Sequence, residues 1–400
     1  MIRKNVSRLC NILFVLALCA TCCFAEHMGP IIKLDAEAAG RGAGPHFIDL
    51  AFGTDGDQAL AAWSFSDGES LKVRTQLLNL DSAGAVLSTF PGIEPQVVYV
   101  EHRDEFLLTH GFGTATPTEA QVFSYGGPVG SSFHVQAAHQ EPRLIYDPRT
   151  MDVLHAARTF GAGEPNNQIK SQRIGPTYGL EQLQRVDTGS PAFSSAPFGD
   201  LAVNDDLTFY LWRNQTIPFV LSGRIDGPNG LEPTIEIAES DDDAFRNMTV
   251  APLHDGFVTA YEFGDRIEAK VIGADGSLGD PVVLNHSPVE TTGSQSFKLT
   301  CYPDNSSCLL ISRRGDERLL YGEFFDAELE SLGGEFLVLT SEERISSVDV
   351  VYNPNAEGFL VGWTADGSAG ARMVYGVPEP DASALLLSAL FLSLPLRRRR

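Results

Sequence analysis

Residues Phe52–Trp63 read FGTDGDQALAAW: the end of an apolar strand, a polar turn, and a second apolar strand that ends on a bulky ring. Residues Tyr352–Trp363 read YNPNAEGFLVGW and repeat the pattern with the same offset of eleven positions. The offset recurs over Tyr99–His110 and Tyr146–Ala157. Short apolar runs bounded by Gly, Asp, Asn and Pro are typical of antiparallel strands joined by tight turns. The chain is therefore built from a repeated pair of strands.

Seven copies of this unit follow one another along the chain. Looser copies end at Trp212, Tyr261 and Ser312, and successive end positions are 47 to 55 residues apart. Several copies are followed by two further apolar runs around a turn with Asp or Gly, as in Val271–Leu284. Four short strands in a period near fifty residues are typical of a β-propeller blade. The sequence predicts one all-β domain, a seven-bladed β-propeller over residues 26–376.

The two ends of this domain predict how the ring of blades closes. The seventh unit, Val348–Val374, holds three strands instead of four. Gly29–Leu34 has the same pattern as Gly279–Leu284, which reads as the fourth strand of the fifth unit. We expect this N-terminal strand to complete the seventh blade and so to remove the open ends. An eight-bladed ring and an open β-solenoid are the alternatives, and the missing strand weighs against the solenoid.

The charge of the domain narrows the class of partner. The chain has 29 Lys and Arg against 52 Asp and Glu. Seven of the basic residues and two of the acidic ones lie in residues 1–25 and 377–400, which leaves 22 against 50 in between. Such a body argues against nucleic-acid binding, which needs a basic surface, and disfavours docking on anionic lipid. It suits a soluble extracytoplasmic protein that is kept in solution by its net charge.

Three acidic turns carry oxygen ligands of the kind that calcium takes: Asp55–Asp57, Asn204–Asp206 and Asp241–Asp243. None matches the calcium loop of the EF-hand, and Asp is common at turns because its side chain bonds the nearby backbone. The nine histidines are scattered without the spacing of paired ligands. We expect no cofactor and no metal site, with calcium at these turns as the alternative.

Two of the six cysteines, Cys301 and Cys308, lie outside the first 25 residues. They stand on either side of a turn-rich segment that is flanked by apolar runs, which reads as a hairpin. Cysteines at the two shoulders of a hairpin can face each other across the strands. In an oxidising compartment we expect them to form a disulfide, with two unpaired thiols as the alternative.

The N-terminus has the features of a secretory signal peptide. Residues 1–25 combine three basic residues, an apolar stretch over Ile12–Ala20 and a small-residue cleavage site at Cys23–Ala25. A lipoprotein signal using Cys22 or Cys23 is the competing interpretation. The residues before Cys22 lack the leucine that such a signal carries three positions upstream. We expect ordinary cleavage before Glu26.

The end of the chain combines three features in a fixed order. A Pro-Glu-Pro motif precedes an apolar run from Ala382 to Leu396, and four consecutive arginines follow. This order resembles the PEP-CTERM sorting signal of proteins exported by Gram-negative bacteria. Asp381, where a small residue is usual, and Pro395, inside the run, depart from the commonest pattern. The residues that carry the resemblance are Val377, Pro378, Glu379, Pro380, Arg397, Arg398, Arg399 and Arg400.

The resemblance covers residues 377–400 and implies where the chain goes, through processing by an exosortase-type enzyme. The apolar run has fifteen residues, fewer than the roughly 20 that span a bilayer comfortably. Arginines at its end snorkel to the interface and stay on the cytoplasmic side. We expect a transient anchor in the inner membrane as a short transmembrane helix, then a place at the cell surface or in the extracellular matrix. An ordinary C-terminal membrane anchor is the alternative.

Two classes of function remain, since the sequence shows no nucleophile elbow, no sialidase-type Asp box and no phosphate loop. The first is a noncatalytic surface or matrix protein that binds a polysaccharide or a protein; exosortase substrates are often associated with exopolysaccharide production, so the resemblance favours this class. The second is an extracellular propeller glycan hydrolase or lyase with its site in the central funnel. Carboxylates with Arg or His in the funnel would favour the enzyme, and small apolar side chains there would favour binding.

No catalytic residue is assigned from the sequence, but two sets of positions are candidates for a site. Trp63, Trp212, Tyr261 and Trp363 recur at one position of the repeat, where they stack on sugars or, as recurrence favours, pack between blades. The connections after the second strands are the places to search for catalytic groups. Their polar residues are Asp67, Arg158, Arg213, Asp265, Arg313 and Asp366.

Overall fold

The computed structural model describes residues 28–34, 47–54, 56–111, 117–159, 168–187, 198–214, 217–242, 245, 247–285, 296–304, 307–314, 317–366 and 368–376. The expected signal peptide over residues 1–25 and the expected sorting segment over residues 377–400 lie outside these ranges. Across the described ranges, no helix has both the length and the apolar character needed to span a bilayer.

The described residues form strands that group into seven antiparallel blades. The first strand, β1 (Ile32–Lys33), belongs to the last blade. Blade 1 contains β2 (Ile48–Phe52), β3 (Gln58–Ser66), β4 (Leu71–Asn79) and β5 (Ala83–Pro91). Blades 2 and 3 contain β6 (Ile93–Val100), β7 (Glu105–Gly111), β8 (Pro117–Ser124), β9 (Gly127–Asp147), β10 (Asp152–Thr159), β11 (Gln168–Ile174) and β12 (Gln184–Arg185).

Blade 4 contains β13 (Phe198–Val203), β14 (Thr208–Arg213), β15 (Phe219–Gly227), the two-residue β16 (Gly230–Leu231) and β17 (Ile235–Ser240). Blade 5 contains β18 (Met248–Leu253), β19 (Gly256–Phe263), β20 (Arg266–Gly273) and β21 (Val282–Asn285). Blade 6 contains β22 (Phe297–Cys301), β23 (Cys308–Arg314), β24 (Leu319–Phe325) and β25 (Phe336–Thr340). Blade 7 contains β26 (Ile345–Asn353), β27 (Gly358–Ala365) and β28 (Ser368–Tyr375).

The ring closes as the sequence predicts. Strand β1 pairs antiparallel with β28, and Ile32 lies opposite Ala371. The four-stranded sheet of blade 7 therefore runs β26, β27, β28, β1, with its outer strand supplied by the N-terminal part of the chain. The all-β, seven-bladed propeller with this closure is confirmed.

Blades 2 and 3 differ from the simple repeat because one strand serves both. Strand β9 runs without a break from its pairing with β8 to its pairing with β10, so the two blades form one seven-stranded sheet. Its first part is the outer strand of blade 2 and its last part is the inner strand of blade 3. The sequence unit did not predict this continuity, because it assigns four separate short strands to each blade.

The blades are buried on both faces near the centre and exposed at the rim. Residues of β27 are buried along its whole length, whereas most of β5 is exposed or half-buried. A strand that packs against a neighbouring blade on each face has no polar side, which explains the weak alternation in the sequence. The recurring aromatic residues lie in this core: Trp63 and Trp363 are 3 % and 4 % exposed, and Tyr261 is fully buried. The packing interpretation of these residues is confirmed.

The two cysteines form a disulfide at the turn of a hairpin. Cys301 ends β22 and lies directly opposite Cys308, the first residue of β23, with the sulfur atoms 1.99 Å apart. Both residues are buried in the apolar cluster between blades 5 and 6. The predicted pairing is therefore present in the structure.

Candidate functional site

The innermost strand of every blade carries a polar residue at one equivalent position. Each of these residues lies opposite the residue directly before the recurring strand-end position, as Asp49 lies opposite Ala62 and Asp349 opposite Gly362. All but Thr249 line a central cavity of about 180 Å³. We call the seven residues the channel ring, and in blade order they are Asp49, Gln96, Arg143, Asp200, Thr249, Lys298 and Asp349.

The three aspartates of the channel ring join neighbouring blades. The Oδ2 atom of Asp349 accepts a hydrogen bond from the backbone N–H of Leu50 at 2.9 Å. Asp49 accepts one from the N–H of Val97, and Asp200 makes the same contact with blade 5. Each donor follows the ring position of the next blade, on a strand with no neighbour on its channel side. Since a buried N–H without a partner is costly, these carboxylates satisfy exposed strand edges inside the channel.

One part of the channel ring is an ion cluster around Asp200. Lys298 Nζ lies 2.7 Å from Asp200 Oδ2, and the Thr249 hydroxyl donates to the same oxygen at 2.6 Å. Arg143 Nε lies 3.6 Å from Asp200 Oδ1. Burial raises the pKa of Asp200, but the charges of Lys298 and Arg143 outweigh it and hold the pKa below its usual value. Burial lowers the pKa of Lys298, but the charges of Asp200 and Asp349 raise it by more. The pKa is therefore above its usual value, and the ammonium form is favoured.

The other part of the channel ring is a pair of carboxyl groups from the two blades that close the propeller. Asp349 is 5 % exposed, and Asp49 is half-buried. Burial raises the pKa of Asp49, and the charge of Asp349 raises it further. Burial also raises the pKa of Asp349, against the opposing charge of Lys298. The pair therefore holds a proton more readily than ordinary aspartates, which is a property of general acids.

No three His, Cys, Asp or Glu side chains come together as metal ligands among the residues that the structure describes. Two of the acidic turns that were considered for calcium are only partly described, because Asp55 and Asp243 lie outside the described residues. Calcium binding at these turns therefore stays a prediction.

The polar residues that follow the second strands do not converge on the channel. None of the six appears among the described residues that line its cavity. Asp67, Asp265 and Asp366 are exposed at turns. Arg313 donates from Nη1 to the carbonyl of Ile345 at 2.6 Å, and Arg213 contacts the carbonyl of Phe245 in the same way.

Ile345 is the first residue of β26 and Phe245 lies three residues before β18, so each carbonyl stands four residues before the ring position of the next blade. Arg213 and Arg313 therefore make equivalent hydrogen bonds between neighbouring blades. Arg158 occupies the same position of the repeat and is buried in blade 3. The prediction that catalytic groups would come from the connections after the second strands was wrong. The described lining of the channel comes from the first strand of each blade. A usable signal was present, since Asp49, Gln96, Arg143 and Asp349 each stand three residues before the aromatic residue that opens the repeated pattern.

A second cavity, of about 380 Å³, opens where the inner strands of blades 7, 1, 2 and 3 end. Leu50, Val97 and Val351 line both cavities, so the two are continuous along the channel. The inner strands carry the ring at one end and this cavity about 10 Å further on, at ~3.3 Å per residue. We call it the tyrosine mouth, and its described lining is Leu50, Ala51, Phe52, Gly53, Thr54, Val97, Val98, Tyr99, Glu101, Tyr146, Val351, Tyr352 and Pro354.

A hydrogen-bonded network holds the hydroxyl of Tyr99, and it includes Tyr125 behind the lining and a backbone contact from Thr54. Tyr99 donates to Asp104 Oδ1 at 2.5 Å, and Tyr125 donates to the same oxygen at 3.2 Å. Because the single proton of Tyr99 goes to Asp104, the hydroxyl of Thr54 donates to Tyr99 in turn. Asp104 has a left-handed backbone with φ of 54°, which Asp tolerates better than most residues. The network fixes the ring of Tyr99 on the cavity wall.

Blade 3 contributes Tyr146 to the wall of the mouth, and its ring stacks with His102. The two rings are 5.9 Å apart and inclined by 22°, and the Tyr146 hydroxyl lies 3.2 Å from His102 Nδ1. The neighbouring cation, Arg103, turns away from the cavity: its Nε contacts Glu105 at 2.8 Å and its guanidinium lies over the ring of Tyr178. The described lining of the mouth therefore holds one ionisable acid, Glu101, and no cation.

Comparisons with known proteins support the fold and give no evidence about the activity. No protein family and no curated protein sequence matches the chain. The crystal structure of AofleA from Arthrobotrys oligospora aligns with a TM-score of 0.50 at 11% identity, over 74% of this chain and 87% of that one. The β-propeller domain of the Trilobed protease from Pyrococcus furiosus aligns with a TM-score of 0.49 at 10% identity, over 84% and 100%.

An arabinobiose complex of Penicillium chrysogenum α-L-arabinanase aligns with a TM-score of 0.47 at 12% identity, over 72% of this chain and 94% of that one. The alignment with AofleA supports a shared architecture, and identities this low carry no activity with them. The chain is a seven-bladed β-propeller protein with a polar central channel and an aromatic mouth.

Proposed function

We propose that this chain is an exported, noncatalytic binding protein whose tyrosine mouth binds a glycan. The observation that carries the proposal is a cavity of about 380 Å³ with Tyr99 and Tyr146 on its walls and Thr54 at its rim. Ligand pockets usually measure ~300–1,000 Å³ and combine apolar walls with a few oriented polar groups. Tyrosine offers an apolar face and a hydroxyl together, which suits a sugar ring.

The absence of a catalytic role is supported by what occupies the carboxylates of the channel. Asp349, Asp49 and Asp200 each accept a backbone N–H from the next blade, so each already has a structural partner. The cavity beside them, about 180 Å³, is smaller than the mouth. Binding at the mouth requires no movement of these groups.

Export and sorting belong to the same proposal and rest on residues 1–25 and 377–400. A signal peptide would bring the body across the inner membrane, and an exosortase-type enzyme would process the Pro378-Glu379-Pro380 segment. The test is to replace these three residues by alanines in a Gram-negative host that has such an enzyme. Mass spectrometry of the surface fraction should then show loss of the processed form, with the chain retained in the membrane. Unchanged processing would refute the sorting role.

The binding test uses the full-length chain, purified in a mild detergent, and calorimetry with neutral oligosaccharides selected on a glycan array. Tyr99→Ala and Tyr146→Ala should each weaken binding about tenfold, the loss expected for one aromatic contact. Tyr321→Ala is the matched control, because Tyr321 is a half-buried tyrosine on the third strand of blade 6. Equal losses for the control, or an array without binding, would refute the proposal.

A glycan hydrolase or lyase is the second candidate, because the channel carries carboxylates together with Arg143 and Lys298. The specific observation is the raised pKa of Asp49 and Asp349, which burial causes in both. The corresponding test incubates the same oligosaccharides with the wild-type chain, Asp49→Asn and Asp349→Asn. Release of new reducing ends or unsaturated ends that both variants abolish would establish catalysis. Intact oligosaccharides would leave binding as the function.

A further inference from the structure

We propose that the tyrosine mouth selects saccharides that carry free amino groups, so that its preferred ligand is a cationic amino-sugar oligomer. The inference rests on the proposed function and names the ligand class of the same site. Glu101 is exposed at the cavity, and the described lining contains no Lys, Arg or His to answer its charge. A protonated amine on a bound sugar would complete an ion pair with Glu101 while the sugar ring rests on a tyrosine.

Carboxylates also stand behind the other walls of the mouth. Asp104 holds Tyr99 through the hydrogen bond at 2.5 Å. Glu357, whose charge acts on Tyr352 of the wall, is exposed in the turn between β26 and β27. The negative field is therefore spread around the cavity.

The pKa directions of the wall tyrosines agree with this field. Burial raises the pKa of Tyr146, and the charge of Glu101 raises it further. Burial raises the pKa of Tyr352, with the charges of Glu357 and Asp304 adding to it. A field that disfavours phenolate at two separate walls also disfavours a bound anion such as a uronate, and it favours a cation.

Cations near the mouth are engaged elsewhere. Arg103 contacts Glu105 and donates from Nη1 to the carbonyl of Pro176 at 3.0 Å, on the side of blade 3. Arg149, close in sequence to Tyr146, binds both oxygens of the buried Asp147 at 2.8 Å. Both guanidinium groups are thus paired with other acids, and Glu101 is the one carboxylate in the described lining of the mouth.

The test compares four probes against the full-length chain at about pH 6, below the pKa of an ordinary amine. The probes are a glucosamine tetramer with free amines, its fully N-acetylated form, a galacturonate tetramer and a tri-lysine peptide. We expect the free-amine tetramer to bind about tenfold more tightly than the acetylated one, the worth of one charge-assisted contact. The uronate should bind most weakly.

The matched variants are Glu101→Gln and Glu69→Gln. Glu101→Gln should remove the preference for free amines, so that the variant binds the two glucosamine tetramers with equal affinity. Glu69 is exposed in the turn between β3 and β4, at the opposite end of the blade, so Glu69→Gln should change nothing. A preference that survives Glu101→Gln would overturn the inference, because it would come from the overall net charge of −23.

The remaining outcomes separate this inference from the proposed function. Equal affinity for both tetramers would overturn the amine preference while glycan binding stands. Tri-lysine binding as tight as the free-amine tetramer would overturn the saccharide part, since charge alone would then suffice. Binding of no saccharide at all would refute both.

Discussion

Replacing aspartate by asparagine at two equivalent positions of the channel ring should have opposite effects on stability. Asparagine has almost the same shape as aspartate, and its amide oxygen still accepts a backbone N–H. Asp49→Asn therefore keeps the contact with Val97 and removes a buried charge. Asp200→Asn keeps the contact with Val250 and removes the partner of Lys298 and Arg143.

The expected magnitudes follow from these contacts. At the 2.7 Å separation of Lys298 Nζ and Asp200 Oδ2, an effective dielectric constant of ~20 gives an attraction of about 6 kcal/mol. The Lys298 side chain is 19 % exposed, so water would recover part of this when the partner is lost. We expect Asp200→Asn to lower the free energy of unfolding by about 2–3 kcal/mol, somewhat below the usual cost of breaking a buried pair. Asp49→Asn should raise the free energy of unfolding, because it removes a buried charge that lies beside Asp349.

The pH dependence distinguishes the two variants more sharply than the size of the change. The folded pKa of Asp49 is raised, so its contribution to stability is complete below the unfolded value of ~3.9 and is lost as the pH rises through the folded pKa. The advantage of Asp49→Asn should therefore grow as the pH rises above ~3.9 and level off above the folded pKa. The folded pKa of Asp200 is lowered, so its contribution is present above ~3.9 and is lost as the pH falls through the folded pKa. The deficit of Asp200→Asn should shrink on acidification.

Thermal unfolding followed by circular dichroism, at a series of pH values on both sides of ~3.9, measures both effects. For a domain of this size, 1 kcal/mol corresponds to about 1–2 °C in Tm, so Asp200→Asn should melt several degrees early. Thr249→Val is the control for the network, because it removes one hydroxyl contact to Asp200 without a change of charge. If both asparagine variants lose stability to the same extent with the same pH slope, the division of the ring into an ion cluster and an acid pair is wrong.

Three further perturbations test other parts of the structure. Burial lowers the pKa of His110 from 6.5 to about 4, so stability should fall by about 3 kcal/mol as the pH drops through this window, and His110→Phe should remove that slope in urea titrations. Replacing Cys301 and Cys308 by serine opens a short closed loop and should cost about 2 kcal/mol, seen as a lower urea midpoint that added reductant no longer changes. Trp63→Ala empties a buried site between the first and last blades and should cost about 3–5 kcal/mol in the same assay, whereas no loss would mean that the closure does not depend on this contact.

The fold was predictable from the sequence because its determinants are local. Phe52–Trp63 and its copies place each turn and each apolar strand within a dozen residues, and the count of strands at the two ends predicts the closure. The disulfide was predictable for the same reason, since Cys301 and Cys308 belong to one hairpin. The continuous β9 was not, because a strand that leaves one blade for the next has no turn signal at either end of the crossing.

The sites were harder to predict because they join residues that are far apart in the chain. Asp49 and Asp349 meet only through the closure of the ring, and Tyr99 and Tyr146 face one cavity from two blades. The repeat itself hides such residues: Tyr99, Tyr146 and Tyr352 look like packing residues, as their counterpart Phe52 does. Partial exposure separates them from the buried tryptophans, and the repeated pattern by itself does not distinguish exposed from buried rings.

The polar groups of the channel are needed for folding, whereas those of the mouth are not. This difference indicates where the function lies. Seven inner strands expose an unpaired edge to one narrow space, and some side chain must satisfy the N–H groups that cannot reach water. Asp49, Asp200 and Asp349 do so across three of the blade boundaries, and their charges then require Lys298 and Arg143 nearby. A polar channel is thus a consequence of closing the propeller.

No such demand explains the mouth. The network of Thr54, Tyr99, Tyr125 and Asp104 joins side chains to one another, and its one backbone contact, from Thr54, lies beyond the end of β2. It holds aromatic faces beside an open cavity that also exposes the carboxylate of Glu101. Ordering these side chains costs conformational entropy that the fold does not require. Pre-organised aromatic and acidic groups at the end of a channel are what a site needs in order to bind a ligand without rearrangement, and we therefore place the function at the mouth.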